Sequence, residues 1–220
     1  MSKRSRFCRK IHGSYFAFLG VGIATISTII SMISLLSVYP NINLFSLWMS
    51  DLGASPFGVF FNISIMISSL FMFLFIREFL KFLSKNSENQ GLFKITLIFG
   101  FFSSFGLFLI GMFPVRTIGE ATIVHSIAAF MYWIGSCLFW LFLGIIELKN
   151  PKISTNQAVM AIITWLFWSF FLLYLILIPI FPVLDTSKFP QWLVHIVLAI
   201  SLTENGIFFL KQDKQKKKNI

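Results

Sequence analysis

Six long runs of apolar residues, separated by short polar segments, dominate the hydrophobic pattern of this chain. A helix of about 20 mostly apolar residues crosses roughly 30 Å of hydrocarbon, and each run is close to that length. The runs cover Ser14 to Val38, Gly58 to Ile76, Ile95 to Met112, Thr122 to Ile146, Ala158 to Ile180 and Gln191 to Leu210. We therefore predict an all-α fold, a polytopic membrane bundle of six transmembrane helices that occupies residues 14–210.

The composition excludes an ordinary soluble domain. Of the 220 residues 57% are hydrophobic and 12% are charged, whereas soluble domains carry about 25% charged residues. A basic leader at residues 1–13 and a basic tail at residues 211–220 remain outside the six runs. Both are too short to form a separate domain, so the bundle is the one domain that we expect.

The basic residues lie mainly on one side of the predicted bundle. Sixteen of the 18 lysines and arginines fall in the leader, in the tail, or in and beside the connections after the second and fourth spans. The other side has only Arg116 and Lys188. The positive-inside rule then places both termini in the cytoplasm of a multi-pass protein of the cell membrane.

The net charge of +10 also bears on partners. Contact with anionic lipid headgroups explains the basic cytoplasmic ends, so membrane lipids are the expected partners. Nucleic acid is not expected, because no aromatic residues are interleaved in the basic tail and no nucleic-acid-binding fold accompanies it.

A weak internal repeat marks the three spans that run outward. Each ends in an aromatic residue followed by proline: Tyr39-Pro40, Phe113-Pro114 and Phe181-Pro182. The pattern is typical of a triplicated helical hairpin, and equally of proline standing where a helix must end.

Three ionisable residues on the predicted external side suggest a site. His125 and His195 each lie about one helical turn inside an external span end, and Asp51 lies in the first external loop. Together they could supply a 2-His-1-carboxylate metal site. Their origin in three separate hairpins weakens this hypothesis, because metal motifs usually have short local spacings. The alternative is that each histidine bonds to a neighbouring helix or to interfacial water.

Glu204 is the most deeply placed acid in the predicted spans, between Thr203 and Asn205. An ionised carboxylate at a span centre costs about 2.5–3.5 kcal/mol on insertion scales. We therefore expect Glu204 to be neutral, to face a wet cavity, or to be paired within the bundle with Thr203, Asn205 or a cytoplasmic lysine.

Polar residues of the second and fourth spans indicate a shared pocket. His125 lies on a small and polar stripe of the fourth span that should face other helices and that consists of Thr122, His125, Ala128, Ala129, Tyr132 and Ser136. Asn62 of the second span needs an interhelical partner. Because unpaired polar groups are costly in lipid, we expect Asp51, Asn62 and His125 to converge on one externally accessible pocket. Plain helix packing would produce the same stripe.

Two motifs on the external side carry a family resemblance. They are Ser50-Asp51-Leu52-Gly53 followed by Phe60-Phe61-Asn62, and Gly111-Met112-Phe113-Pro114 followed by His125-Ser126. They resemble signatures of the domain-of-unknown-function 998 family of six-helix membrane proteins, and the chain is distantly similar to Frag/DRAM-type proteins. The last hairpin departs from the family, with Asp185 and His195 where a Glu-Arg pair and a tryptophan are expected. The resemblance implies that Gly53 and Pro114 shape the backbone and that Asp51, Asn62 and His125 contact a ligand.

Two functions remain open. The first is a bundle that binds or conducts a small molecule or lipid through a pocket opening externally between the second, fourth and sixth spans. The second is an outer-leaflet enzyme, for example a metal-assisted lipid hydrolase. The chain has three histidines and no Ser-His-Asp set, H-E-x-x-H, P-loop or dinucleotide fingerprint. These absences favour the binding function and indicate no cofactor.

The distribution of basic residues makes the topology testable. Reporter fusions after Lys85 and after Ile220 should both report a cytoplasmic location, because both positions lie on the side that holds sixteen basic residues. A fusion after Lys188 serves as the external control. A cytoplasmic signal at Lys188, or an external signal at either of the other positions, would contradict the predicted topology.

Overall fold

The computed structural model describes residues 12–84, 89–115, 121–150, 153–181, 183 and 187–218. Six α-helices account for most of them: α1 Ser14–Val38, α2 Gly58–Leu83, α3 Gln90–Met112, α4 Ile123–Lys149, α5 Thr155–Leu177 and α6 Phe189–Lys218. Two 3₁₀ turns, Leu44–Ser46 and Met49–Ala54, lie between α1 and α2. All six helices are long and apolar enough to cross a membrane, which confirms the predicted fold class.

The helix bounds differ from the apolar runs where polar residues continue a helix. The α1 helix matches its run, whereas α2 extends to Leu83, α3 begins at Gln90 and α6 continues to Lys218. Lysine, glutamine and glutamate are good helix formers, so a helix does not stop where its apolar run stops. The α5 helix ends at Leu177, earlier than predicted; Pro179 follows two residues later and has no N–H with which to continue the helical hydrogen bonds.

The helices form a ring in which each packs against the next in sequence and α6 packs against α1. The start of α1 and the end of α6 therefore lie at one end of the bundle, called here the terminal end. Residues 39–57 lie at the other end, called here the loop end. The outer surface exposes many large apolar side chains, among them Ile26, Val59, Phe170 and Ile176. Such a surface is typical of helices that contact lipid.

Small residues allow close approach between α3 and α4. A Cβ atom on Gly106 would lie 2.5 Å from the backbone nitrogen of Tyr132, and one on Gly135 would lie 2.5 Å from the backbone nitrogen of Ser103. Helix backbones in membranes pack this closely only where glycine or another small residue faces the neighbour. These two glycines therefore fix the α3–α4 hairpin.

Hydroxyl and amide side chains also bond across the helix interfaces. Four such bonds are buried: Ser68 Oγ to Gly20 O at 2.7 Å, Ser103 Oγ to Ser136 Oγ at 2.7 Å, Thr164 Oγ1 to Ser201 Oγ at 2.5 Å and Gln157 Nε2 to Asn205 Oδ1 at 3.3 Å. Ser136 belongs to the stripe of α4 that the sequence predicted to face other helices, and its bond to α3 agrees with that prediction.

The proposed repeat is visible in the backbone of its first two members. Tyr39 and Phe113 follow the last residues of α1 and α3, and their φ, ψ angles of −125°, 72° and −120°, 70° nearly coincide. In both, the backbone N–H donates to a carbonyl four residues earlier. The third member differs, because α5 ends four residues before Phe181. Pro182 lies outside the described residues.

We expect Gly106→Ala to lower the free energy of unfolding by about 1–3 kcal/mol, the usual cost of overpacking, because its Cβ would meet the α4 backbone. Gly22→Ala in α1 is the matched control, since no atom of another helix lies within 4 Å of the added methyl. Unfolding in mixed micelles by titration with SDS measures both. Equal stabilities for the two variants would contradict the close α3–α4 contact.

Candidate functional site

A central cavity of about 770 Å³ lies inside the ring of helices. Its lining comes from α1, α2, α4 and α6, with Leu107 and Ile110 of α3 and residues of both 3₁₀ turns at the loop end. Its size falls in the range of small-molecule pockets, which is about 300–1,000 Å³. The predicted pocket helices α2, α4 and α6 all contribute, and α1 joins them.

The cavity exists because α1 presents small side chains to the interior. Ala17, Gly20, Ala24 and Thr28 follow one another at spacings of three or four residues, so they share one face of the helix. The bulky Ile26 and Ile33 of α1 point the other way and are exposed. Large side chains from α2 and α4, such as Phe61 and Trp133, reach inward but leave the space beside α1 unfilled.

The segment of residues 39–57, called here the covering loop, is fastened to α6 at the loop end of the cavity. Trp192 Nε1 donates to Leu47 O at 3.0 Å, and Met49 N donates to Gln191 Oε1 at 2.8 Å. The ammonium group of the buried Lys188 lies 4.5 Å from the centre of the Trp48 ring, a cation–π contact. Trp48, Met49 and Ser50 then line the cavity.

The first signature motif shapes the covering loop. Asp51 Oδ2 accepts a hydrogen bond from Trp48 N at 2.9 Å, which closes the second 3₁₀ turn. Asn62 Nδ2 donates to Gly53 O at 3.2 Å, and a Cβ on Gly53 would lie 2.5 Å from Asn62 Oδ1. Glycine at position 53 therefore leaves room for the Asn62 side chain to approach the covering loop. The partner of Asn62 is thus the covering loop, so the predicted interhelical partner is wrong.

The second signature motif joins α3 to α4. His125 Nδ1 bonds to Phe113 O at 2.8 Å, and Thr122 Oγ1 accepts from His125 N at 3.2 Å. Phe113 follows the last residue of α3, where carbonyl groups lack a partner within the helix, and Pro114 prevents the helix from continuing. His125, at the start of α4, therefore supplies a hydrogen-bond donor to the carbonyl group that follows α3.

Both histidines of the predicted site line the central cavity. His195 Nδ1 bonds to Gln191 O at 2.7 Å, and its ring lies beside Tyr132 and Trp168. A carbonyl oxygen can only accept, so Nδ1 carries a proton in His195 and in His125. In the neutral tautomer Nε2 is then an acceptor. Among the hydrogen bonds of the described residues, none involves Nε2 of either histidine.

The predicted residues are only partly brought together. His125 and His195 share the cavity, whereas Asp51 and Asn62 take part in covering-loop hydrogen bonds and are not among its described lining residues. Within the described part of the chain, no group of three His, Cys, Asp or Glu side chains is placed to hold a metal ion. Asp51, His125 and His195 therefore do not assemble the 2-His-1-carboxylate set. Asp185 lies outside the described residues.

Glu204 lies outside the central cavity, in a shallow groove of about 400 Å³ with Val21, Ala199 and Thr203 among its lining residues. The partners proposed from its sequence neighbours are bonded elsewhere. Thr203 Oγ1 donates to Ala199 O at 2.8 Å, and Asn205 Oδ1 accepts from Gln157. Of the alternatives for Glu204, pairing with Thr203 or Asn205 is therefore wrong.

Glu147 is a second acid in the bundle, and its burial was not predicted from the sequence. Its side chain is 2% exposed, and neither carboxyl oxygen has a hydrogen-bond partner in the described part of the protein. Glu147 lies two residues before Lys149, the last residue of α4. Helical spacing would have found it, because Glu147 continues the inward stripe of Tyr132, Ser136 and Leu143.

Comparisons of the chain with protein-family models, with curated proteins and with solved structures give no match.

We expect His125→Phe to lower the free energy of unfolding by about 1–3 kcal/mol, because the Phe113 carbonyl would lose its donor. His195→Phe is the matched control. Its acceptor, Gln191 O, lies four residues earlier in the same helix and keeps the backbone bond of the helical ladder. SDS titration compares the two variants. A larger loss for His195→Phe would show that His125 does not clamp α3 to α4.

Proposed function

We propose that this chain is a multi-pass membrane protein that binds a small apolar or amphipathic molecule, or a lipid, in the central cavity. The observation that carries the proposal is the cavity itself, about 770 Å³ of largely apolar space bordered by α1, α2, α4 and α6. A space of this size lined by apolar and aromatic side chains, with a few polar groups at one end, is typical of a ligand site.

The polar lining residues favour a ligand with a polar group at one end. Ser50, His125, Ser126, Gln191 and His195 lie toward the loop end of the cavity, and the remainder of the lining is mostly apolar. Two histidine Nε2 atoms there are available as acceptors, so hydroxyl or N–H groups of a ligand match them. With the topology predicted from the basic residues, this end faces the outside of the cell membrane.

The same geometry favours a binding function over the alternative function, an outer-leaflet hydrolase. Metal-assisted hydrolysis needs a set of protein ligands, and the described residues place no third His, Cys, Asp or Glu with the two histidines. The proposed membership in the domain-of-unknown-function 998 family rests on the two signature motifs. The residues of these motifs shape the loops at the loop end of the cavity; they are Asp51, Gly53, Asn62, Pro114 and His125.

Tryptophan fluorescence tests this proposal, because Trp48, Trp133 and Trp192 line the cavity. A fatty acid brominated along its chain, added to the purified protein in detergent, should quench this fluorescence saturably. Ala24→Phe, which fills the cavity beside α1, should weaken the apparent affinity at least about tenfold, or 1.4 kcal/mol.

The matched control is Ile26→Phe, on the outward face of α1, where the side chain is exposed. It should leave the quenching curve unchanged. If Ala24→Phe and Ile26→Phe give the same curve as the unmodified chain, the fatty acid binds elsewhere and the cavity is not the site.

A further inference from the structure

We propose that the occupant of the central cavity is the hydrocarbon chain of a membrane lipid, which enters sideways from the bilayer between α1 and α6. This inference rests on the proposed function and adds the ligand class and its route. The gap between α1 and α6 is called here the seam, and it is bordered by Thr25 and Ile29 of α1 and by Ile196 and Ile200 of α6.

The seam is open to the surface that contacts lipid. All four bordering residues line the cavity and are exposed, with Ile29 50%, Ile196 55% and Ile200 53% exposed. Cavity-lining residues with this much accessible surface mark a place where the cavity reaches the outside. In a bilayer this outside is hydrocarbon, so a lipid chain is the molecule next to the opening.

The α1 and α6 helices meet closely near the terminal end. A Cβ on Gly206 would lie 3.1 Å from Ala17 Cβ, and a Cβ on Gly13 would lie 2.7 Å from the Phe209 ring. The seam residues lie farther along both helices, toward the loop end. The two helices therefore close the cavity near the terminal end and leave it open to the bilayer above that contact.

A groove on the outer surface continues the seam. Val21, Ala199 and Ile200 line both the central cavity and the shallow groove that contains Glu204. The two spaces thus share a border formed by α1 and α6. A chain that lies in this groove needs to move only across the border residues to enter the cavity.

The shape of the cavity suits an extended chain. On α1 its lining runs from Ala17 to Met32, which corresponds to about 22 Å at 1.5 Å per residue. This length is most of the roughly 30 Å thickness of the hydrocarbon. The polar lining residues at the loop end would receive the polar end of the lipid, so its chain would point toward the terminal end.

The test uses phosphatidylcholine vesicles in which the acyl chains carry bromine near the bilayer centre. This lipid stays in the bilayer, so it can reach Trp133 of the cavity only from the side. The contribution of Trp133 is the difference in quenching between the chain and its Trp133→Phe variant. Trp133 lies about 15 Å from the start of α4, close to the bilayer centre.

We expect the bilayer lipid to quench Trp133 and expect the double variant Thr25→Phe/Ala199→Phe, which narrows the seam, to abolish that contribution. Leu166→Phe/Ile176→Phe, on the exposed face of α5, is the control and should leave it intact. Retained quenching in the seam variant, or none in the unmodified chain, would overturn lateral entry. If the brominated fatty acid still shows cavity-dependent quenching in that case, the proposed function stands and only the route and ligand class fail.

Discussion

Every backbone N–H and C=O group in hydrocarbon must find a partner within the protein, because no water is present to replace it. Inside the six helices the backbone hydrogen bonds of the helix meet this requirement, so the groups that still need a partner lie at the helix ends. The Phe113 carbonyl at the end of α3 accepts from His125, and the Leu47 carbonyl of the covering loop accepts from Trp192. The residues that stood out in the sequence as possible chemistry thus serve first to complete the backbone at the loop end.

Small residues have two opposite effects in this bundle. Gly106 and Gly135 face another backbone, so the absence of a side chain brings α3 and α4 together. Ala24 and Thr28 on α1 line the middle of the ring, where no side chain fills the space beside them, and a cavity results. Whether a small residue tightens the structure or opens it depends on what lies opposite, which is a property of the ring and not of the residue.

The two acids within the bundle show a similar dependence on their surroundings. Glu204, in the middle of an apolar run, lies in a groove at the surface, whereas Glu147, close to a lysine at a helix end, is almost completely buried. The burial of a carboxyl group without a hydrogen-bond partner is costly, so Glu147 lowers the stability of the fold. Helical phase, more than distance from the membrane surface, separates these two residues.

The sequence by itself determined the six helices, because the length of an apolar run is set by the thickness of the hydrocarbon and needs no tertiary information. It also identified His125 and His195 as residues facing the same interior. Only the tertiary structure decided that Asp51 and Asn62 hold the covering loop, that α1 borders a cavity and that Glu147 is buried. The reason is that these outcomes depend on contacts such as Ser68 with Gly20 and Trp192 with Leu47. Those partners lie far apart along the chain, and side-chain packing between helices selects them.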